Sequence, residues 1–401
     1  MTGPLSGIRV LDLSRLLPGG YCSLLLSDYG ADVLKVEDTG DGDYIRWAPP
    51  RHAGVEPSAA SALFLALNRG KRSLRLDLKR EEGRDVLLRL VRGHDVLLES
   101  FRPGVLDRLG LGYERLRAEN PGLVYCAITG YGRQAPDRDR PGHDLNYLAR
   151  SGLLGLTGTP DGPPVPAAGQ IADIGGGALM AAFGILAALI ERDRSGEGQL
   201  VDVSMMRGAQ SWLALVAARF FADGALPRRG ELELAGGLAC YRPYRCADGW
   251  VTLGALEPKF WRALCRGLAR DDLLERHMDP AVAGELEPIF AARTRAEWAA
   301  FDDAHACCVE PVLDLDEALA RSPENVVEVD QPGAVAPVRL LGPPVGMSRT
   351  PPDAARPGPA LGADTDAVLA ELGYSGEEVE RLKAAGAVAG PEAVPQGSFL
   401  A

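Results

Sequence analysis

One stretch near the start of the chain decides the fold: Val10-Leu11-Asp12-Leu13, then Pro18-Gly19-Gly20, then Tyr21 to Asp28, then Asp32 to Glu37. The first segment is mostly apolar, the last carries Val33, Leu34 and Val36, and both are short enough for strands; the glycines predict a turn before a helix. A strand, a helix and a second strand in this order form a βαβ unit. Such a unit joins parallel strands, so the stretch predicts a parallel sheet covered by helices.

The same alternation of strand and helix patterns continues along the chain. The segments that repeat it are Leu74–Leu78, Glu81–Arg92, Asp95–Glu99, Leu123–Ile128 and Gln199–Ser204. Because strands and helices keep alternating, we predict the α/β class, with a Rossmann-like large domain over residues 1–220.

The pattern changes after residue 230. Tyr241–Cys246 and Trp250–Ala255 flank Ala247-Asp248-Gly249, which has the Asp-Gly chemistry of an antiparallel hairpin turn. We therefore predict a smaller α+β domain over residues 230–325. Residues 326–401 are expected to return to the large domain through an extended proline-rich segment near residue 350 and two closing helices, with a disordered tail from about Gly390.

Composition excludes several classes of protein. The 401 residues include 43 basic and 55 acidic side chains, and the net charge of −12 argues against a nucleic-acid partner or an anionic membrane surface. The longest apolar stretch, Ala178–Ile190, is shorter than the roughly 20 residues that a membrane span needs. Seven cysteines without a C-x-x-C pair predict buried thiols rather than a metal site. We expect a cytoplasmic protein with no membrane partner.

The first βαβ unit superficially resembles a dinucleotide-binding fold, because an acidic residue, Glu37, ends its second strand. The turn before its helix lacks the G-x-G-x-x-G spacing that lets a backbone approach a pyrophosphate. We therefore expect no nicotinamide, flavin or other permanently bound cofactor.

Four segments in order carry a family resemblance: Gly7–Leu13, Leu26–Val33, Asn68–Leu74 and Glu99–Gly104. With them the chain resembles the family that joins family III CoA-transferases with α-methylacyl-CoA racemases. The resemblance covers residues 4 to 385. It implies an acyl-CoA substrate, with coenzyme A entering as part of that substrate, and two subunits interlocked as a homodimer.

Basic residues crowd the region around one predicted strand: Arg69, Lys71, Arg72, Arg75 and Lys79. Guanidinium and ammonium groups hold phosphate oxygens well, so one interpretation is a site for the phosphates of CoA, and the other is a solvated basic face. The resemblance implies that CoA contacts Arg72, Leu76, Asp77, Leu78, Lys79, Glu99, Phe101, Arg102, Arg108, Gly142, Asp144, Asn146 and Tyr147. One departure is Asp38, where the racemases commonly carry an arginine that helps to hold CoA.

Three motifs have catalytic potential: Gly142–Tyr147, Ile171–Gly177 and Gly254–Phe260. By pattern alone, His143-Asp144 indicates a helix start, Asp173 an N-cap, and Glu257 a surface carboxylate. The resemblance places His143, Asp173 and Glu257 at the catalytic positions of the racemases. Inverting a carbon beside a thioester requires a base on one face and an acid on the other, a task that suits an imidazole and a raised carboxyl.

The transferase alternative uses Asp173 as a nucleophile that carries CoA as an aspartyl thioester. The long segment from Asp41 to Ala66 is similar to the transferase branch, whereas His143 suits proton transfer. An acyl-CoA-binding protein without catalysis is a third class. We expect a 2-methylacyl-CoA racemase whose site lies in a cleft between domains, contributed by two subunits.

Overall fold

The structure is a computed structural model that describes residues 3–391 and 398–399. The described chain forms two compact units. The sheet unit contains the residues up to Ser151, Gly169–Ser211 and the residues from Pro323 onwards; the hairpin unit contains Gly152–Ala168 and Trp212–Ser322. Residues 152–168 and 212–220, which the sequence analysis placed in the large domain, belong to the hairpin unit.

The described strands in chain order are β1 (Arg9–Asp12), β2 (Asp32–Glu37), β3 (Arg72–Leu76), β4 (Val96–Glu99), β5 (Val124–Thr129), β6 (Leu200–Ser204), β7 (Tyr241–Cys246), β8 (Gly249–Gly254), β9 (Val309–Pro311), β10 (Val326–Val329), β11 (Val338–Leu341) and β12 (Val388–Ala389).

The described α-helices are α1 (Leu16–Asp28), α2 (Ala62–Asn68), α3 (Glu81–Arg92), α4 (Val105–Arg108), α5 (Tyr113–Glu119), α6 (Asp144–Ser151), α7 (Leu179–Ser195), α8 (Met205–Ser211), α9 (Ala214–Asp223), α10 (Pro258–Gly267), α11 (Val282–Ala291), α12 (Arg295–His305), α13 (Leu315–Arg321), α14 (Thr365–Glu371) and α15 (Gly376–Ala384). A π-helical segment, Ile171–Ala178, leads into α7. Short 3₁₀ turns lie at Tyr44–Trp47, Pro57–Ala59, Leu154–Leu156, Glu233–Ala235, Asp271–Leu273 and Pro323–Asn325.

The large sheet has the order β12-β3-β2-β1-β4-β5-β6. Strands β1 to β6 run parallel, and β12 joins β3 as an antiparallel edge strand. The order reverses between β1 and β4, which creates the switch point where ligands bind in doubly wound sheets, outside the carboxyl ends of the strands. The predicted α/β class with a Rossmann-like sheet is confirmed.

The predicted turn at Pro18-Gly19-Gly20 is wrong, because these residues lie inside α1. The first turn of a helix has no internal acceptors for its amides, so Pro18 costs the helix no hydrogen bond there. The chain turns earlier, at Leu16, whose φ is +57°. Gly19 is needed for packing, since a β-carbon there would lie 2.1 Å from the β-carbon of Ser14.

The core of the sheet unit lies on both faces of the sheet. Leu11, Leu34, Leu74 and Leu97 belong to an apolar cluster that also takes in side chains of α3, α5 and α14. Helix α1 and the run formed by the π-helical segment and α7 pack against each other, and α7 also packs on β5 and β6. Burial of these aliphatic side chains is the main stabilising term of the unit.

One helical run among the described residues, Ile171–Ser195, is long and apolar enough to cross a bilayer by length and composition. It is longer than the apolar stretch considered in the sequence analysis, because the π-helical turns continue directly into α7. Half of its most apolar window is buried within the protein, as expected of a helix that covers a sheet.

The hairpin unit is built on the antiparallel strands β7, β8 and β9, with the predicted hairpin between the first two. Its core contains stacked aromatic rings, among them Tyr244 on Phe290 with centroids 4.3 Å apart. Cys307 is buried in this core, and Cys308 beside it is half-buried. Strand β9 starts directly after these cysteines, at Val309.

The C-terminal part returns to the sheet unit, as the sequence indicated. β10 and β11 form a two-stranded ribbon, the proline-rich segment from Pro343 to Pro359 has no regular element, and α14 and α15 lead to β12. The sequence analysis missed β12, which is only two residues long. The expected disordered tail lies largely outside the described residues.

Candidate active site

The carboxyl end of β4 carries a buried acid, Glu99. Its carboxylate accepts hydrogen bonds from the Phe101 amide at 2.6 Å and the Tyr125 hydroxyl at 3.3 Å, and Arg133 lies 3.5 Å away. Burial raises the pKa of Glu99 to about 7, against the opposing effect of these donors. The side chain therefore fixes the turn after β4, from which Arg102 extends into solvent.

The motif that contains His143 begins helix α6. The His143 carbonyl accepts hydrogen bonds from the amides of Asn146 at 2.8 Å and Tyr147 at 3.2 Å. In return the Asn146 side chain accepts from the His143 amide at 3.0 Å. This reciprocal cap fixes the backbone at His143. The His143 side chain itself is exposed within this chain.

Tyr147 sets the shape of the loop before α6. Its hydroxyl donates to the Gly142 carbonyl at 2.6 Å, and its ring stands edge-on to Tyr131 with centroids 5.2 Å apart. A β-carbon at Gly130 or Gly142 would lie 2.5 or 2.8 Å from this ring. Only glycine therefore allows the tyrosine to close over the end of β5.

Asp173 lies within the π-helical segment, not at its N-cap as the local pattern indicated. One carboxylate oxygen of Asp144 accepts hydrogen bonds from the amides of Ala172 at 2.7 Å and Asp173 at 2.9 Å. The two motifs are thereby joined, since Asp144 directly follows His143 in the chain. Burial, and after it the charge of Asp144, raise the pKa of Asp173 to about 7.

Close backbone packing holds the Asp173 segment in place. A β-carbon at Gly176 would lie 2.6 Å from the Ala209 amide nitrogen and the Met205 carbonyl oxygen. A β-carbon at Gly208 would lie 2.0 Å from the Gly176 carbonyl oxygen. The run of three glycines at residues 175–177 thus allows close approach to α8. Single π-helical stretches of this kind are frequent at functional sites.

Three members of the basic cluster near β3 are buried and paired inside the protein. The interpretation of the cluster as a phosphate site is wrong for these three, Arg69, Lys71 and Arg75. Arg69 pairs with Asp28 at 2.6 Å and Lys71 with Asp12 at 3.2 Å, all inside the protein. The buried Arg75 donates to the Gly390 carbonyl at 2.7 Å. Because buried charges must be paired, these cations neutralise and link internal groups instead of facing solvent.

The other residues that the resemblance assigns to CoA are distributed differently. Arg72 is part-exposed and pairs with Asp32 at 3.2 Å and Glu371 at 2.8 Å. Leu76 is buried in β3, and Asp77 accepts from the Lys79 amide at 2.9 Å. Leu78 packs against the main core, whereas Lys79, Arg102 and Arg108 are exposed. The assignment of these residues to CoA stays a prediction.

Arg15 is a cation near the switch point that the sequence analysis did not consider. It follows β1 at the switch point, and its amide donates to the Ser100 hydroxyl, 3.1 Å away, beyond the end of β4. Its exposed guanidinium pairs with Asp38. The signal was present in the sequence as a cation directly after the first strand, but only the fold shows that it meets Asp38.

Glu257 lies in the hairpin unit. It occupies the residue before α10, where its exposed carboxylate makes no side-chain cap. Its charge helps to raise the pKa of Cys308, after burial and Asp302. Its assignment as a catalytic residue stays a prediction. Among the residues that the structure describes, no group of histidine, cysteine and acidic side chains could hold a metal ion.

The sequence profile of CoA-transferase family III matches residues 5–365. The chain belongs to CoA-transferase family III. Among its relatives, the α-methylacyl-CoA racemase of Mus musculus is 38% identical over 94% of this chain and 96% of its own length. The succinyl-CoA:mesaconate CoA-transferase of Haloarcula hispanica is 35% identical over 92% of this chain and 97% of its own length.

Solved structures agree with the family assignment. A CAIB/BAIF family protein from Brucella suis has a TM-score of 0.81 and 32% identity, covering 93% of this chain and 100% of the other. Rv3272 from Mycobacterium tuberculosis has a TM-score of 0.78 and 29% identity, covering 92% and 99%. The protein is therefore an enzyme of family III, a family whose relatives include both racemases and CoA-transferases.

Proposed function

We propose that this family III enzyme is a racemase that inverts the α-carbon of a 2-methylacyl-CoA thioester by 1,1-proton transfer. The observation that carries the proposal is the link between the two motifs: Asp144, next to His143, binds the amide of Asp173. An imidazole and a carboxyl are thus built into adjoining segments at the carboxyl end of the sheet, where ligands of such sheets bind.

The chemistry requires two groups that exchange roles. One removes the α-proton, the thioester enolate forms, and the other donates a proton to the opposite face. An imidazole titrates near neutrality, and the pKa of Asp173 is raised to about 7, chiefly by burial. Asp173 can therefore gain or lose a proton near pH 7, and with the His143 imidazole as the second group, each would serve as base for one enantiomer and acid for the other.

The substrate's coenzyme A supplies the anionic part of the recognition. We propose that the exposed cations at this edge, Lys79, Arg102, Arg108 and Arg15, meet its phosphates, since guanidinium and ammonium groups bind phosphate oxygens well. Glu257 is proposed to orient the reacting groups by hydrogen bonding. Replacement by glutamine tests this role, which predicts a lower kcat with little change in KM.

The second candidate function is a family III CoA-transferase, favoured by the relatives that carry this activity. The Asp173 carboxylate would attack the acyl thioester, expelling the CoA thiolate and forming a mixed anhydride. The thiolate would then attack the aspartyl carbonyl, releasing the first acid and leaving an aspartyl-CoA thioester. A second carboxylate would collect the CoA by the reverse steps.

We also propose a homodimer. Helix α7 leaves a stripe of large apolar side chains in solvent: Leu179, Met180, Phe183, Leu186 and Ile190. Phe183 is 71% exposed and Ile190 63%. Soluble monomers rarely expose contiguous apolar surface of this kind, so a second copy is the proposed cover. Sedimentation equilibrium tests it; a monomer over the whole accessible concentration range would contradict it.

One incubation separates the two reactions. A single enantiomer of a 2-methylacyl-CoA is held in deuterium oxide with enzyme, first without and then with a second carboxylic acid. Racemase activity gives deuterium at the α-carbon and loss of optical purity without the acid. Transferase activity gives neither, but moves CoA to the added acid and forms a hydroxylamine-sensitive adduct on Asp173; that result would overturn the racemase proposal.

A further inference from the structure

Asp144 touches the catalytic segment but is neither of the proposed proton-transfer groups, and the family resemblance assigns it only to CoA. We propose that Asp144 is instead a positioning residue, which anchors the backbone at Asp173 and, through its negative charge, controls how readily Asp173 ionises. The proposal deepens the proposed function, because it concerns the proton balance of the same site.

The geometry supports an anchoring role. A single oxygen of Asp144 accepts from two successive amides, Ala172 at 2.7 Å and Asp173 at 2.9 Å. Amides at the start of a helical segment have no internal acceptor, so each needs an outside partner. A carboxylate that already receives two amide hydrogen bonds is oriented toward the protein backbone. It is therefore placed to fix Asp173 rather than to bind the nucleotide of a substrate.

The electrostatic surroundings make Asp144 the dominant charge near Asp173. On α6 the titratable neighbours are Asp144 and Tyr147, and the charge of Asp173 helps to raise the pKa of Tyr147 to about 12, after burial. Gly176 and Gly177 of the π-helical segment lie against α8 and α1. Their neighbours there are uncharged: Met205, Gly208, Ala209 and Pro18. Two carboxylates sharing one site resist simultaneous ionisation.

Asp144 and Asp173 therefore have different roles, although they lie close together. The Asp144 carboxylate, held in place by the two amides, acts through its negative charge against ionisation of Asp173. Burial is the larger cause of the raised pKa of Asp173, and Asp144 is the second. If Asp144 loses its charge but keeps its hydrogen-bond acceptor, the pKa of Asp173 should fall partly toward its ordinary value. The backbone at Asp173 should stay in place.

Asp144→Asn makes this separation, since the amide oxygen of asparagine can still accept both hydrogen bonds. The readout is the carboxyl titration of Asp173, followed by ¹³C NMR in aspartate-labelled protein and assigned by its loss in Asp173→Asn. We expect the midpoint to move down by about one pH unit, with a melting temperature close to that of the parent. This titration needs no substrate, so it holds or fails independently of the racemase assignment.

The pH profile of kcat/KM supplies the second readout. Asp173 must be ionised when it acts as base or as nucleophile. For that reaction, the acid limb of the kcat/KM profile should move to lower pH in Asp144→Asn. Asp144→Ala should show the same shift together with a lower melting temperature, because both amides lose their acceptor. Asp137→Asn is the matched control: Asp137 contacts α6 through Arg150 but not the π-helical segment, and it should leave both readouts unchanged.

The opposite results are equally clear. An unchanged Asp173 titration in Asp144→Asn would overturn the proposal, and so would a raised KM for acyl-CoA with an unshifted acid limb, which is the behaviour of a CoA ligand. A shifted titration in a protein that shows no racemase activity would support the role of Asp144 and contradict only the proposed function.

Discussion

The amide of Asp173 donates a hydrogen bond of 2.9 Å to the carboxylate of Asp144. This bond joins two motifs that are far apart in the sequence and brings the residue after His143 against the segment that carries Asp173. It also places the carboxylate of Asp144 near the half-buried Asp173. The pKa of Asp173 is raised first by burial and second by the negative charge of Asp144.

The stability of the protein should depend on pH through Asp173. Its folded pKa of about 7 lies above the unfolded value near 3.9, so between these values the unfolded state loses its proton first. Stability therefore falls as the pH rises through this window and is not lost further above it. Asp173→Asn removes the penalty and should be more stable than the parent at pH 8 by roughly 1–3 kcal/mol.

Urea unfolding at pH 8 and at pH 4.5 measures that difference. The advantage of Asp173→Asn should shrink toward zero at the lower pH, where the parent carboxyl is protonated in the fold. Asp366→Asn, in an exposed pair with Lys383, serves as the control with little effect at either pH. An equal advantage at both pH values would contradict the assignment of a raised pKa.

The buried pair of Asp12 and Lys71 should be needed for folding. Lys71 lies 3.2 Å from Asp12 and also binds Ser23 at 2.7 Å and Asn68 at 2.8 Å. Asp12→Asn leaves a buried ammonium without its counter-charge and should cost about 3–5 kcal/mol of unfolding free energy. Asp32→Asn, which breaks the exposed pair with Arg72, should cost less than about 1 kcal/mol. Similar losses for the two variants would refute this distinction.

The contact between Gly176 and α8 should tolerate no side chain. Gly176→Ala places a β-carbon 2.6 Å from backbone atoms of Met205 and Ala209, so the segment must shift. We expect a loss of at least about 2 kcal/mol and a clear fall in activity, because Asp173 moves with the segment. Gly284→Ala in α11 meets nothing within 4 Å and should be neutral or stabilising. Thermal melts of the two variants test this difference, and equal melting temperatures would contradict it.

Arg15 should contribute to the affinity for the CoA part of the substrate. Arg15→Gln removes an exposed guanidinium at the switch point and should raise KM about tenfold with little change in kcat. Asp38→Asn removes the carboxylate that competes for this guanidinium and should lower KM. Arg9→Gln is the control, since Arg9 starts β1 at the opposite end of the sheet. Equal KM values for parent and Arg15→Gln would exclude the role.

Local sequence patterns predicted the strands of the sheet but not the pairing of its buried cations. Strands such as β4 and β5 are mostly apolar runs flanked by turn residues, and nothing distant changes that signal. By contrast, Lys71 and Arg75 look like surface cations until the fold brings Asp12 and a C-terminal carbonyl to them. Pairing across many residues is invisible to a pattern read along the chain.

The candidate site was predicted in the same uneven way. The start of α6 after His143 followed from its local residues, whereas the π-helical turns around Asp173 depend on close packing against Gly208. The contact of Asp144 with Asp173 also needed coordinates, since a carboxylate at a helix start is expected to cap its own helix. The roles of His143, Asp173 and Glu257 came from the family resemblance and stay predictions.

The most direct measurement follows deuterium into each enantiomer of a 2-methylacyl-CoA separately, in deuterium oxide without any acceptor acid, for the parent, His143→Ala and Asp173→Asn. We expect exchange from both enantiomers with the parent. Each variant should lose exchange from one enantiomer only, a different one in each case, because each residue removes the proton from a different face. Exchange that is absent in the parent, or lost to the same extent from both enantiomers in both variants, would contradict proton transfer between His143 and Asp173.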